Sequence, residues 1–143
     1  MNTILCVGNR FCSEDSVGPR VYDYLLSATI PSGVNVIDAG LAGIDLLHYF
    51  ETSERVVVVD RIQGFGRRGE LLVLRWNEIA QSNAVEYGHS GGLQYLLLSL
   101  PALGLVPRVE VILIGLDGPA DGDVVASLAR MALEAADGEK MVS

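Results

Sequence analysis

The chain has 143 residues, 50% of them hydrophobic and 20% charged, and ten Lys and Arg against eighteen Asp and Glu give a net charge of −8. That size fits a single domain over residues 1–143, able to bury about 70% of the surface its unfolded chain would expose. The acidic balance excludes a surface that coats nucleic acid by neutralising phosphates, and although mean hydropathy is +0.35, no apolar run approaches the ~20 residues needed to cross a bilayer. The opening Met1-Asn2-Thr3-Ile4-Leu5 has no basic stretch and reaches Gly8-Asn9-Arg10 at once, unlike a signal peptide. A cytoplasmic protein is expected. Cys6 and Cys12 are too few and too close for a disulfide framework and lack redox or zinc spacing, so both are expected as reduced thiols, Cys6 within a core strand.

In chain order, strands are expected at 3–8, 34–38, 55–60, 70–75 and 109–115. The first, third and last are nearly continuous Val, Ile and Leu, the signature of strands buried on both faces. The fourth follows the third through the Gly-rich 63–69 turn, too short for a crossover helix, and should run antiparallel to its neighbour. A first helix should start with Ser16 as N-cap, because Pro19 is tolerated in a first turn but not further inside. This leaves Glu14 and Asp15 just outside it, puts Val17, Val21, Leu25 and Ala28 on one face, and ends it at 30–33. Further helices are expected at 44–50, 92–100 and 121–136, the last with Val124, Val125, Leu128, Met131 and Ala132 inward. Strands alternating with helices predict a three-layer α/β/α sandwich around a mostly parallel sheet of about five strands, one of them antiparallel.

In an open parallel sheet, ligands bind beyond the carboxyl ends of the strands. There the chain places Gly8, Asn9, Glu14 and Asp15 after the first strand, Asp38, Gly40 and Gly43 after the second, Asp60 after the third, and His89 before the next helix. The other histidine, His48, sits among Leu46, Leu47, Tyr49 and Phe50 and reads as structural. Carboxylates with an imidazole suit a divalent transition metal, and three protein ligands leave positions open for water or substrate. Asp60 closes the run Val56-Val57-Val58-Val59, where a sealed, unpaired carboxylate would cost several kcal/mol. It should therefore reach solvent, a donor or a metal. Arg61, Arg67 and Arg68 read as a solvated turn, and secondarily as a basic edge that would steer an acidic segment.

Other chemistries compete. Gly88-His89-Ser90-Gly91-Gly92 matches the nucleophile elbow of a small serine hydrolase using Ser90. Such a triad runs Ser, acid, His, and no histidine follows residue 89, which counts against it. Gly8-Asn9 lacks the remaining glycines of a dinucleotide loop, and no phosphate loop occurs. A non-catalytic binding module stays open.

Taken together, Ile4-Leu5-Cys6-Val7-Gly8-Asn9, Glu14-Asp15-Ser16-Val17-Gly18, Asp38-Ala39-Gly40-Leu41-Ala42-Gly43, the apolar strand ending in Asp60 with Gly66 and Gly69 after it, and His89 before Gly92-Leu93 resemble the hydrogenase maturation endopeptidases. The resemblance covers most of the chain, in order. It implies a metal-dependent endopeptidase that removes the C-terminal extension from the nickel-loaded precursor of a nickel-iron hydrogenase large subunit. A monomer is expected. By matching motifs, the residues that meet the metal and carry the reaction fall on Asp15, Asp60 and His89, with Glu14 the alternative to Asp15. The segment with Asp38, Gly40 and Gly43 would bind substrate. The nickel would be carried by the substrate, with other divalent ions able to take its place in vitro. The family often has Asp-Asp-Gly at Glu14-Asp15-Ser16 and a second acid where Gln63 stands, so this chain departs from the pattern at both positions.

Overall fold

The computed structural model of the chain describes residues 1–81, 86–87 and 92–138. Strands β1 (Asn2–Val7), β2 (Val34–Gly40), β3 (Arg55–Gln63), β4 (Leu72–Arg75), β5 (Glu86–Tyr87) and β6 (Glu110–Leu116) alternate with helices α1 (Val17–Leu26), α2 (Leu47–Thr52), α3 (Trp76–Gln81), α4 (Gly92–Ser99) and α5 (Gly122–Asp137). The sheet order is β2-β1-β3-β6-β4, with β5 paired to β3. β2, β1, β3 and β6 are parallel, and β4 runs antiparallel to β6.

The period-two alternation of a strand sends neighbouring side chains to opposite faces, and here both faces are covered. Leu5, Val7, Val56, Val58, Val111 and Leu113 pack with Phe50 of α2, Ile79 of α3 and Leu93, Leu96 and Leu97 of α4. Ile4, Cys6, Val57, Val59, Ile112 and Ile114 pack with Val17, Val21 and Leu25 of α1 and Val125, Leu128 and Ala132 of α5. This is the expected α/β/α sandwich. Both cysteines are free thiols, Cys6 buried and Cys12 exposed. Among the described residues no helix is long and apolar enough to cross a membrane.

Glu14 and Asp15 do lie just outside α1, which starts after Ser16 as expected, and they form a 3-10 turn, Ser13–Asp15, leading into it. Several local expectations are corrected. α1 stops at Leu26 instead of running on to 30: Ile30 precedes Pro31, which disfavours helical backbone, and Ala28 N–H turns back to the Leu25 carbonyl. The 44–50 helix is split into a 3-10 turn, Ile44–Leu46, and α2. β3 runs three residues past Asp60, because Ile62 and Gln63 pair with β5. β4 begins at Leu72 rather than 70; it runs antiparallel to its neighbour as expected, and that neighbour is β6. The 63–69 turn crosses the carboxyl end of β6, where Gly69 N–H donates to the Asp117 carbonyl at 2.8 Å. α3 carries only one buried residue, Ile79, too weak a pattern to read. It is closed by Glu78, whose Oε1 accepts the Arg75 N–H at 3.0 Å, the reach-back half of a capping box.

β3 and β6 approach closely at one register pair, Asp60 opposite Gly115. A Cβ built on Gly115 would overlap the Asp60 carbonyl oxygen. The absence of a side chain at 115 therefore sets where the Asp60 backbone sits.

Candidate active site

Asp60 is the first residue of β3 beyond its ladder with β1, which ends at Cys6 opposite Val59. Four consecutive buried valines carry it there, and it is itself 0% exposed. Its Oδ1 accepts the N–H of Arg61 at 2.7 Å, so one oxygen serves the local backbone while the residue stands at the edge where the parallel strands end.

The loop after β1 folds back on itself. Asn9 N–H donates to the Asp15 carbonyl at 2.9 Å and lies 3.2 Å from the Asp15 carboxylate Oδ2. Asp15 N–H donates to the Cys12 carbonyl at 2.9 Å, and Asn9 Oδ1 accepts the Phe11 N–H at 2.9 Å. Gly8, at φ +146, makes this possible: a Cβ there would overlap the Asp15 carbonyl, in a backbone region that L residues avoid. Asp15 is 9% exposed, just ahead of the α1 N-terminus, where the helix dipole favours an anion. The turn that carries it packs against β3. The structure thus brings the segments of Asp15 and Asp60 together at one edge.

Glu14 has a different environment. It is more exposed and paired with Arg68, whose guanidinium is held above its usual pKa by the hydrogen bond and charge of Glu14 and then by Asp117. Of the two first-loop acids, Asp15 is the buried one.

The loop after β2 is joined to the same edge by the Gly8 N–H, which donates to the Gly40 carbonyl at 2.8 Å. Register shifts at this point, so that Val7 faces Gly40 and Ala39 is left over, a bulge that turns the strand end. Gly43 precedes the Ile44–Leu46 turn and accepts the Leu46 N–H at 2.9 Å. Asp38 lies 3.5 Å from Arg10 Nη2, while the same guanidinium grips Asp23 at 2.6 and 3.2 Å.

His89 and Ser90 lie outside the described residues. Among the described residues, no group of three or more His, Cys, Asp or Glu side chains is placed to hold a metal ion. His48 is exposed on α2, its ring 3.9 Å from that of Tyr49, so it flanks the helix surface instead of filling the core.

The sequence reading passes over Asp117. It closes the apolar run of β6 as Asp60 closes that of β3, and its Oδ1 accepts from Arg61 Nε at 3.1 Å. Its signal is the positional one that singles out Asp60. Arg61 and Arg68, read as a solvated turn, are ion-paired.

The comparisons agree with this architecture. The family described as HycI, hydrogenase maturation protease, matches residues 19–137, a span that holds Asp38, Asp60 and His89. The hydrogenase expression/formation protein HupD of Bradyrhizobium diazoefficiens is 27% identical over 115 residues, 78% of this chain and 59% of that protein. The chain therefore spans less than two thirds of that relative's length. The hydrogenase 2 maturation protease of Escherichia coli is 26% identical over 92% of this chain and 93% of its own. The NiFe hydrogenase maturation protease HybD from Thermococcus kodakarensis superposes with a TM-score of 0.66 at 24% identity, covering 95% of this chain and 96% of its own, which shows the shared fold. With a family match over most of its length, the chain belongs to the hydrogenase maturation proteases.

Proposed function

We propose that this chain is an endopeptidase that removes the C-terminal extension from the nickel-loaded precursor of a nickel-iron hydrogenase large subunit. Asp15, Asp60 and His89 meet a nickel ion that arrives as part of the substrate, and Asp38, Gly40 and Gly43 hold the segment to be cut. The observation that carries this reading is the placement of a fully buried carboxylate, Asp60, on a strand against which the Asp15 turn packs, in a chain of this family. Two carboxylates and an imidazole form a donor set suited to a divalent transition metal, with room for ligands from the substrate. Other divalent ions would occupy the same donors in vitro.

In this reading the ion supplies a recognition handle and a positive charge near the scissile carbonyl. The protein's own residues do the rest. Asp15 and Asp60 hold fixed negative oxygens at a strand edge. A carboxylate there accepts a proton from the attacking water, and the amine leaves with a proton once the C–N bond breaks. The enzyme acts as a monomer in the cytoplasm.

The test is processing of purified precursor, with and without nickel, followed by the size of the large subunit. The loaded precursor should be shortened and the empty one left intact; equal processing of both, or of neither, counts against the reading. His89→Ala should lower processing by at least about a hundredfold. Loss of activity in Ser90→Ala together with labelling by a fluorophosphonate would favour the serine hydrolase instead, and stable binding of the precursor without cleavage would favour a binding module.

A further inference from the structure

Four charged side chains from four segments meet at the carboxyl end of β3 and β6. Arg61, the residue after Asp60, donates from Nε to Asp117 Oδ1 at 3.1 Å. That same oxygen lies 3.8 Å from Nη1 of Arg68. The Nη2 of Arg68 pairs with Glu14, the residue before Asp15. A path of alternating charge therefore runs from the sequence neighbour of Asp60 to the sequence neighbour of Asp15, and Asp117 links its two arginines. The side chains of Arg61 and Asp117 are only 24% and 27% exposed. Asp117 is anchored from behind, since its carbonyl accepts the Gly69 N–H.

An isolated exposed ion pair contributes little. A shared, part-buried carboxylate is different: Asp117 hydrogen-bonds Arg61 and lies within ion-pair distance of Arg68, so its removal frees the Arg61 guanidinium and leaves Arg68 with Glu14 alone. Those cations lie at the same end of the sheet as the acidic oxygens read as meeting a cation, and unbalanced positive charge there works against binding.

We propose that Asp117 is a positioning residue: by hydrogen-bonding Arg61 and pairing with Arg68 it ties the Asp15 turn to the Asp60 strand and offsets guanidinium charge at this end of the sheet. The link to nickel rests on the function proposed above. The link between the two segments does not.

The experiment uses the whole protein and its Asp117→Asn variant, with two readouts. Amide exchange of Asn9 and Asp15, which close the first loop, should become several-fold faster in the variant while amides of β3 and β6 stay protected. Nickel ion titrated calorimetrically should bind the variant about tenfold more weakly at an unchanged melting temperature, and Asp117→Glu should recover part of both effects. Arg68→Met breaks the same path from its other side and carries the exchange test if Asp117→Asn fails to fold. Unchanged exchange at Asn9 and Asp15 would overturn the proposal. Faster exchange with unchanged nickel affinity would overturn its effect on the site. If the unaltered protein binds no free nickel ion, its processing rate on nickel-loaded precursor replaces the titration, with an unchanged rate in Asp117→Asn overturning the effect on the site, and the exchange result still decides whether Asp117 joins the two segments.

Discussion

Asp60 illustrates how a single residue is made costly and useful at once. Four valines with no exposed surface deliver a carboxylate to the end of a ladder, and the fold tolerates it because the Arg61 N–H binds one oxygen. Asp60→Asn keeps the shape and removes the charge. Processing should fall by at least about a hundredfold with little change in the urea midpoint, which separates a functional role from a purely structural one. Cys6 makes a contrasting case. Burial, and then the charges of Asp38 and Asp23, push its thiol up to about 12 from 9.0. The folded chain therefore keeps a proton that the unfolded chain gives up above about pH 9. The stabilisation from the neutral thiol is complete below that pH and is lost as pH climbs toward 12, at up to about 1.4 kcal/mol per pH unit. Urea melts across this range should show a shallower decline for Cys6→Ala than for the unaltered chain. At pH 8, alkylation of the folded protein should mark Cys12, which is exposed, and spare Cys6.

Among the elements, the long buried strands and the amphipathic helices α1 and α5 were legible because their patterns extend over several residues. Asp121 before α5 behaves as its type suggests, accepting the Val124 N–H at 2.9 Å. Asp121→Ala should cost about 1 kcal/mol in a denaturant melt. The elements that escaped reading are those set by partners far along the chain. β5 is two residues long and exists through its pairing with β3, while β4 finds its antiparallel neighbour only when β6 is formed. Gly115 belongs to the same category, since a glycine inside an apolar run gives no sign of whose carbonyl it must clear. Gly115→Ala should destabilise the protein by about 1–3 kcal/mol. It should also impair processing beyond what the stability loss explains, because the backbone that must yield is that of Asp60.

For the molecule as a whole, the three-layer architecture followed from the alternation of elements and from the double-sided burial of three strands. The candidate site was legible to the extent that it follows from strand ends: Asp15, Asp38 and Asp60 arrive at one edge because parallel strands all finish there. Arg68 and Asp117 were not, since an ion pair between residues 68 and 117 depends on β4 lying outside β6 and so on the sheet order itself. That order has a consequence for how the protein is made. During synthesis, β1, β2, β3 and the 63–69 turn emerge well before β6, yet the partner of Arg68 and the carbonyl that holds Gly69 follow directly after it. A nascent chain that has not yet exposed Glu110–Leu116 has an edge strand with nothing to join and a loop with no anchor. The acidic edge is completed late in translation, so an incomplete chain presents its carboxylates without the framework that fixes their spacing.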